Sequence, residues 1–217
     1  MSFLELGISG ESPDNMAPQA DAGDDEAALI ERAKTAPEAF GRLFESHYQR
    51  ILNYIYRSTL NLAIAEELTS NTFFKAFRAI GGYRHRISFS AWLYSIATNE
   101  IRMHWRSESR KRKTATARVD AHADGRIYFD SPTIEAGDSL GEKMEQCARL
   151  HEMLGRLPER YRSVIVLRYF EELSYEVIAQ VLGKRLGTVK SLIHRAIRRL
   201  KGIMEQDATF RISRHSQ

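Results

Sequence analysis

The sequence predicts an all-α protein: two small helical domains joined by a flexible linker, the C-terminal one containing a helix-turn-helix. Three observations predict it. Apolar residues recur at three- and four-residue spacing over residues 25–113 and again over 141–206, the period of an amphipathic helix. No useful length of sequence alternates apolar and polar residues as a half-buried strand would. Between the two periodic halves, residues 114–140 lose the pattern and fill with Thr, Ala, Asp, Gly, Ser and Pro132. At 217 residues, 43% apolar and 28% charged, the chain can bury one medium core or two small ones.

Residues 1–24 combine Gly, Ser, Pro, Asn and Asp with few large apolar groups, so they cannot repay their ordering entropy and read as a disordered acidic tail. From Asp25 a helical stripe starts with Ala28, Leu29 and Ala33, and it breaks near Thr35–Pro37 because proline disfavours helix in the residue before it. A second stripe runs from Phe40 through Leu43, Phe44, His47, Tyr48, Ile51, Leu52 and Ile55. The third, Leu68, Thr72, Phe73, Ala76, Phe77 and Ile80, ends at the stop signal Gly81-Gly82. A basic aromatic loop, Tyr83–Phe89, precedes a fourth helix capped by Ser90, which carries Trp92, Leu93, Ile96, Ala97, Ile101 and Trp105 toward the basic run Arg110–Lys113.

Beyond the linker, Met144, Cys147, Leu150, His151, Leu154 and Leu157 form a stripe, and Pro158 opens a helix over Tyr161–Phe170. Ser174 caps a short helix, Tyr175–Leu182, that stops at Gly183; after Leu186-Gly187 a last helix over Thr188–Lys201 has the apolar stripe Val189, Ile193, Ala196 and Leu200. Residues 207–217 read as a tail.

Several functions are disfavoured. The longest apolar stretches fall short of the ~18–20 residues of a membrane span, and the N-terminus lacks the basic flank of a secretory signal, so a cytoplasmic protein without membrane insertion is expected. One cysteine, Cys147, can form neither an internal bridge nor a multi-thiolate metal site. His151-Glu152 begins a zinc-protease pattern, but position 155 is glycine. Gly183-Lys184 resembles the end of a phosphate-binding loop whose first glycine is replaced by Ile178. No enzymatic activity, cofactor or metal is expected.

Charge is blocked along the chain. Residues 1–31 hold eight acids and no Lys or Arg; residues 84–118 hold nine Lys/Arg against Glu100 and Glu108; residues 183–201 hold seven cations and no acid. Two separated basic blocks are the footprint of a protein gripping a polyanion at two places. The second coincides with the helix-turn-helix, whose last helix presents Lys190, Ser191, His194, Arg195 and Arg198 outward, where early residues can read base edges and later ones hold phosphates.

These motifs resemble a known family. Leu157-Pro-Glu-Arg-Tyr through Gln180-Val-Leu-Gly183, followed by Gly187-Thr-Val-Lys-Ser191 and His194-Arg-Ala196, resembles the promoter-binding C-terminal domain of extracytoplasmic-function RNA polymerase sigma factors. Ala65-Glu-Glu-Leu68, Thr72-Phe-Phe-Lys-Ala-Phe-Arg78, Phe89-Ser-Ala-Trp-Leu-Tyr-Ser-Ile-Ala97 and Asn99 resemble the family's core-binding and promoter-melting domain. The resemblance covers residues 28–206. It implies a bacterial transcription initiation factor that binds core RNA polymerase through Glu66, Glu67, Ser70, Asn71 and Phe74. It further implies contact with a −35-type element through Lys184, Arg185, Thr188, Lys190, Ser191, His194, Arg195, Arg198 and Arg199. Tyr83, Arg84, Arg86, Asn99, Arg102 and Arg106 would meet a −10-type element and melt it. Core polymerase, promoter DNA and an anti-sigma factor are the implied partners. The chain departs from the family at Ser70-Asn71, Ser95, Lys184-Arg185 and Leu192. A stand-alone helix-turn-helix regulator that does not engage the polymerase, and a nuclease using the basic grooves, are the competing readings.

Overall fold

The computed structural model describes residues 20–114 and 149–214, with side chains over 26–111 and 149–206. The described residues form only helices and turns. In chain order they are α1 (Ala20–Ala33), α2 (Pro37–Thr59), α3 (Leu62–Ala79), a 3-10 turn (Ile80–Gly82), α4 (Phe89–Thr114), α5 (helical over 149–156), α6 (Glu159–Tyr169), α7 (Tyr175–Leu182) and α8 (Leu186–Arg214). Among the described residues no helix is long and apolar enough to cross a membrane. The expected linker lies almost wholly outside the described residues, as does Cys147.

Helix α6 is shifted toward the N-terminus, Glu159–Tyr169, and other boundaries differ from the sequence expectation for local reasons. Helix α1 begins at Ala20, inside the expected tail, in a stretch where alanine recurs and favours helix. Helix α4 is capped by Ser88 and not Ser90: the Ala91 amide donates to Ser88 Oγ at 3.2 Å. Gly81 and Gly82 stop α3 through the 3-10 turn without a positive φ, the left-handed residues among those described being Leu60 (φ 60°), Glu172 (φ 54°) and Gly183 (φ 61°). Helix α8 starts at Leu186 and continues through residues 207–214, expected as tail, because neither proline nor a left-handed glycine follows Leu200.

The first domain packs α2 against α1, α3 and α4 around Leu43, Ile51, Tyr54, Ile55, Phe73, Phe89 and Leu93, all buried. Inside it, Thr98 Oγ1 donates to the Tyr94 carbonyl (2.7 Å), so its hydroxyl is the acceptor for Tyr54 OH at 2.8 Å. In the second domain α8 covers α6 and α7, with Val189, Ile193, Ala196 and Leu200 inward as their spacing predicts. Helix α6 is buried on every side from Tyr161 to Leu167, because it lies between α8 and α2 of the first domain. The two domains are thus in direct contact, α2 against α6 and α4 against α7.

Candidate nucleic-acid and polymerase interfaces

The helix-turn-helix is built by local signals. Ser174 Oγ accepts the Val177 amide, and Gly183, in the left-handed conformation, turns its own amide back to the carbonyls of Ala179 and Gln180. The Lys184 amide adds a bond to the Ala179 carbonyl at 2.9 Å. Nothing crowds a Cβ at Gly183, so the backbone angle alone demands glycine there. Apolar anchors bury one side of α8 and leave the other in water. Lys184, Arg185, Thr188, Lys190, Ser191, His194, Arg195, Arg198 and Arg199 are all exposed, on one continuous surface of the turn and α8. Arg198 donates to His194 Nε2 at 3.1 Å, which requires the imidazole proton on Nδ1. Arg199 leans over the Tyr161 ring, 6.0 Å from its centroid.

The second basic surface differs from the sequence expectation. Tyr83 is only 5% exposed; its hydroxyl donates to the Ile87 carbonyl at 2.7 Å, and its ring meets His85, Trp92 and Phe89 at 5.0, 5.0 and 5.6 Å between centroids. It is a core residue that ties the loop together and presents no free face to a base. Arg84 and Arg86 project from that loop into solvent. Acidic α1 lies beside them: His85 pairs with Glu31 at 2.8 Å, and Glu26 pairs with buried His47 at the same distance. Burial holds the His47 pKa below its ordinary value, with the Glu26 pair opposing the shift.

Farther along, Asn99 and Arg106 are exposed and Arg102 is half-buried. All three line a groove of about 530 Å³ between α3 and α4, together with Trp92, Ile96 and Met103. Trp92, which the apolar stripe assigns to packing, and Met103, 57% exposed, give this groove an apolar floor beside its cations. The missed signal was a second stripe at helical spacing, Trp92, Ile96, Asn99, Met103 and Arg106, offset from the core stripe Leu93, Ala97 and Ile101. Arg102 also reaches the other domain, donating to the Leu182 carbonyl at 3.2 Å.

A third surface is the outer face of α3. Ala65, Leu68, Thr69, Thr72, Phe73 and Ala76 turn inward. Glu66, Glu67, Ser70, Asn71 and Phe74 are consequently exposed in one strip, with Phe74 59% and Phe77 42% accessible. Large apolar side chains left in water beside two carboxylates are complementary in chemistry to a protein face that is apolar and partly basic. Among the described residues no group of three or more His, Cys, Asp or Glu converges as a metal site.

With this geometry in hand, the profile for Sigma-70 region 2 matches residues 43–111 and that for Sigma-70, region 4 matches residues 147–200. RNA polymerase sigma factor YlaC of Bacillus subtilis is 32% identical over 73% of this chain and 88% of its own length. The chain belongs to the RNA polymerase sigma factors. ECF RNA polymerase sigma factor BldN of Streptomyces coelicolor is 34% identical over 83% of this chain, which spans 66% of that protein's length. The RNA polymerase sigma-H factor of Pseudomonas aeruginosa is 33% identical over 77% of the chain and 88% of its own. The fold of this sigma factor also matches two solved structures. One is CnrH bound to the cytosolic domain of CnrY (TM-score 0.60, 23% identity, 83% of this chain and 97% of that one). The other is the Bartonella quintana sigma factor RpoE bound to the anti-sigma factor NepR (TM-score 0.56, 22% identity, 76% and 96%). Sigma factors are transcription initiation factors and not enzymes. Region 2 coincides with α2–α4, and region 4 with the helix-turn-helix domain.

Proposed function

We propose that this sigma factor recruits core RNA polymerase through the outer face of α3. It holds a −35-type promoter element with the first turns of α8, and it opens a −10-type element along the α3–α4 groove. The observation that carries the reading is the separation of three exposed surfaces, each with its own chemistry. The α8 face offers cations and hydrogen-bonding side chains on a groove-sized helix. The α3–α4 groove sets Trp92 and Met103 among Asn99, Arg102 and Arg106, the pairing of stacking surface and phosphate contacts that suits a single strand. Arg84 and Arg86 add exposed cations on the loop before α4, which Tyr83 holds in shape from inside.

The exposed strip Glu66, Glu67, Ser70, Asn71 and Phe74 favours this reading over a stand-alone regulator, which would have no use for it. An anti-sigma factor is a further partner on this reading, and the protein acts in the cytoplasm, where promoter DNA is. The test is transcription from mapped promoters by purified core polymerase with added protein, alongside co-purification with core. The reading requires both to succeed, and Phe74→Ala to weaken co-purification without loss of helical content. Promoter binding with no core association would return the protein to the class of stand-alone regulators.

A further inference from the structure

We propose that the cleft between α4 and the helix-turn-helix domain is a binding site for a nucleotide that carries a guanine base and two or more phosphates. The cleft's own chemistry points to this ligand, independently of the function proposed above.

The cleft encloses about 720 Å³, within the ~300–1,000 Å³ of small-molecule sites, and both domains contribute cations to its lining. Arg102, Arg106 and Arg110 of α4 recur at every fourth position, so at ~1.5 Å of rise per residue they form a ladder about 12 Å long on one face of the helix. Arg160 of α6 and Lys184 of the turn after α7 come from the second domain, and both are exposed. Among the described residues no carboxylate lies within ion-pair distance of Arg106, Arg160 or Lys184. A cleft lined this way focuses positive potential inward, and guanidinium forks hold phosphate oxygens two at a time.

Charge density separates a small nucleotide from a nucleic-acid strand. A strand brings about one charge per nucleotide, so in a cleft of this size it would leave most of the cations unmatched, whereas a di- or triphosphate gathers its charges on one short chain. The rest of the lining suits a base. The half-buried Trp105 indole offers a ring for stacking, and Leu182 and Leu192 an apolar wall. Glu159, in the first turn of α6, is the single acid among the described residues of the cleft; it is half-buried, and no Lys or Arg nitrogen of the described residues lies within ion-pair distance of its carboxylate. Burial pushes its pKa up, against the charges of Arg102, Arg162 and Arg106. Beside phosphates such a carboxylate is repulsive unless the same ligand brings it donors. Guanine brings them: its N1–H and N2–H groups lie side by side and match the two carboxylate oxygens, while the corresponding edge of adenine offers a single amino group.

The test is calorimetric titration of the full chain, without polymerase or DNA, with GTP, ATP, inorganic triphosphate and a short single-stranded oligonucleotide. Arg102 and Arg106 also line the α3–α4 groove and Lys184 belongs to the α8 face, so the informative variants are Arg160→Glu and Glu159→Gln, outside both surfaces. GTP should saturate a single site at least about tenfold more tightly than ATP or inorganic triphosphate, the usual worth of a hydrogen bond to a charged group. Arg160→Glu should weaken GTP and ATP alike by about tenfold or more. Glu159→Gln should erase the preference for GTP and leave ATP bound no more weakly than before. Should Arg160→Glu fail to fold by circular dichroism, Arg160→Gln must show the same loss to a smaller degree. The site is overturned by the absence of saturable GTP binding, by inorganic triphosphate binding as tightly as GTP, or by arginine variants that bind GTP as the parent does. A preference for GTP that survives in Glu159→Gln overturns the assignment of the base. An oligonucleotide that displaces GTP and itself loses affinity in Arg160→Glu overturns the proposal in favour of a nucleic-acid strand. Transcription from mapped promoters by core polymerase with the parent protein reports on the sigma function separately, since the titrations contain neither polymerase nor promoter.

Discussion

The recognition helix and the loop before α4 carry the same chemistry in sequence, basic residues beside aromatic or apolar ones, and the fold uses them in opposite ways. On α8 the apolar residues go inward at regular spacing, and every cation from Lys190 to Lys201 is left outside. In the loop the aromatic residue goes inward and holds the cations out: Tyr83 is packed among His85, Phe89 and Trp92, while Arg84 and Arg86 are exposed. A helix assigns direction by period, so each side chain's role can be read from its position. A short irregular loop has no period, and burial there is decided by residues outside it.

The largest effect that can break this comparison is at Tyr83. If it is a core residue, Tyr83→Ala should cost about 3–5 kcal/mol of unfolding free energy, as for other buried aromatics, and Tyr83→Phe only about 1 kcal/mol for the lost bond to the Ile87 carbonyl. Urea titrations of the two variants measure this. Stability unchanged in Tyr83→Ala would put the ring back at the surface as a stacking platform.

On α8 the expectation is the reverse, with binding affected and stability spared. Arg195→Ala should cost ~1–3 kcal/mol on the cognate −35-type element and little on a scrambled one. Arg199, later in the helix and drawn toward Tyr161, should when replaced by Ala weaken both equally and reduce the salt slope by about one. Holoenzyme binding at several salt concentrations separates them, and equal losses on both sequences for both variants would refute the division between base and backbone contacts.

How much of this was legible follows from the range of the interactions. Ser174, Gly183 and the Val189–Leu200 stripe act within one or two turns, and the helix-turn-helix was readable from them down to its exposed face. The α3 strip was readable for the same reason, since Leu68, Thr72 and Ala76 define the opposite side. The contact between the domains was not. Arg162 lies amid a family motif and looks like a surface residue of an amphipathic helix, but its bond to the Ser58 carbonyl spans 104 positions. Glu171 is one of two successive acids, and nothing local says that it, and not Glu172, meets Tyr94. Trp92 packs on Tyr83 and Phe89 as its stripe predicts, and its second role in the groove was hidden because one helix carries two stripes that meet at this residue.

A smaller effect sharpens the contrast at the start of α4. Two serines flank Phe89, and only Ser88 receives the Ala91 amide, while its hydroxyl also meets that of Ser90 at 3.2 Å. Ser88→Ala should therefore cost about 1 kcal/mol and Ser90→Ala only a few tenths, by the usual worth of an N-cap. Because the cap sets where α4 begins, it also sets the exit of the loop that carries Arg84 and Arg86. Equal costs in thermal or urea unfolding would mean that the two hydroxyls share the cap.

The smallest expected effect separates the first domain's interior from the contact between the domains by pH. His47 is buried between Glu26 and the Phe89 ring, and burial lowers its pKa below 6.5, with Glu26 opposing and Arg50 adding to the shift. The unfolded chain then binds more protons than the folded one just below pH 6.5, so the contribution to stability is complete above that pH and erodes as pH falls toward the lowered value. Glu171 has the opposite sign. Burial raises its pKa above 4.5, against the Tyr94 hydrogen bond and the charges of Arg57 and Arg50, and Glu172 adds to the rise. The docked state therefore binds the extra proton, and docking should strengthen as pH falls from the raised value toward 4.5. One titrating proton limits either slope to about 1.4 kcal/mol per pH unit. Acidifying from pH 7 toward 5 should thus lower the unfolding free energy, with His47→Gln flattening that fall, while the distance between domains stays short or shortens further. Domains that separate in step with the loss of stability would show that their contact depends on the ionised carboxylate of Glu171, and that the cost of burying its charge is fully repaid by Tyr94 and Arg57.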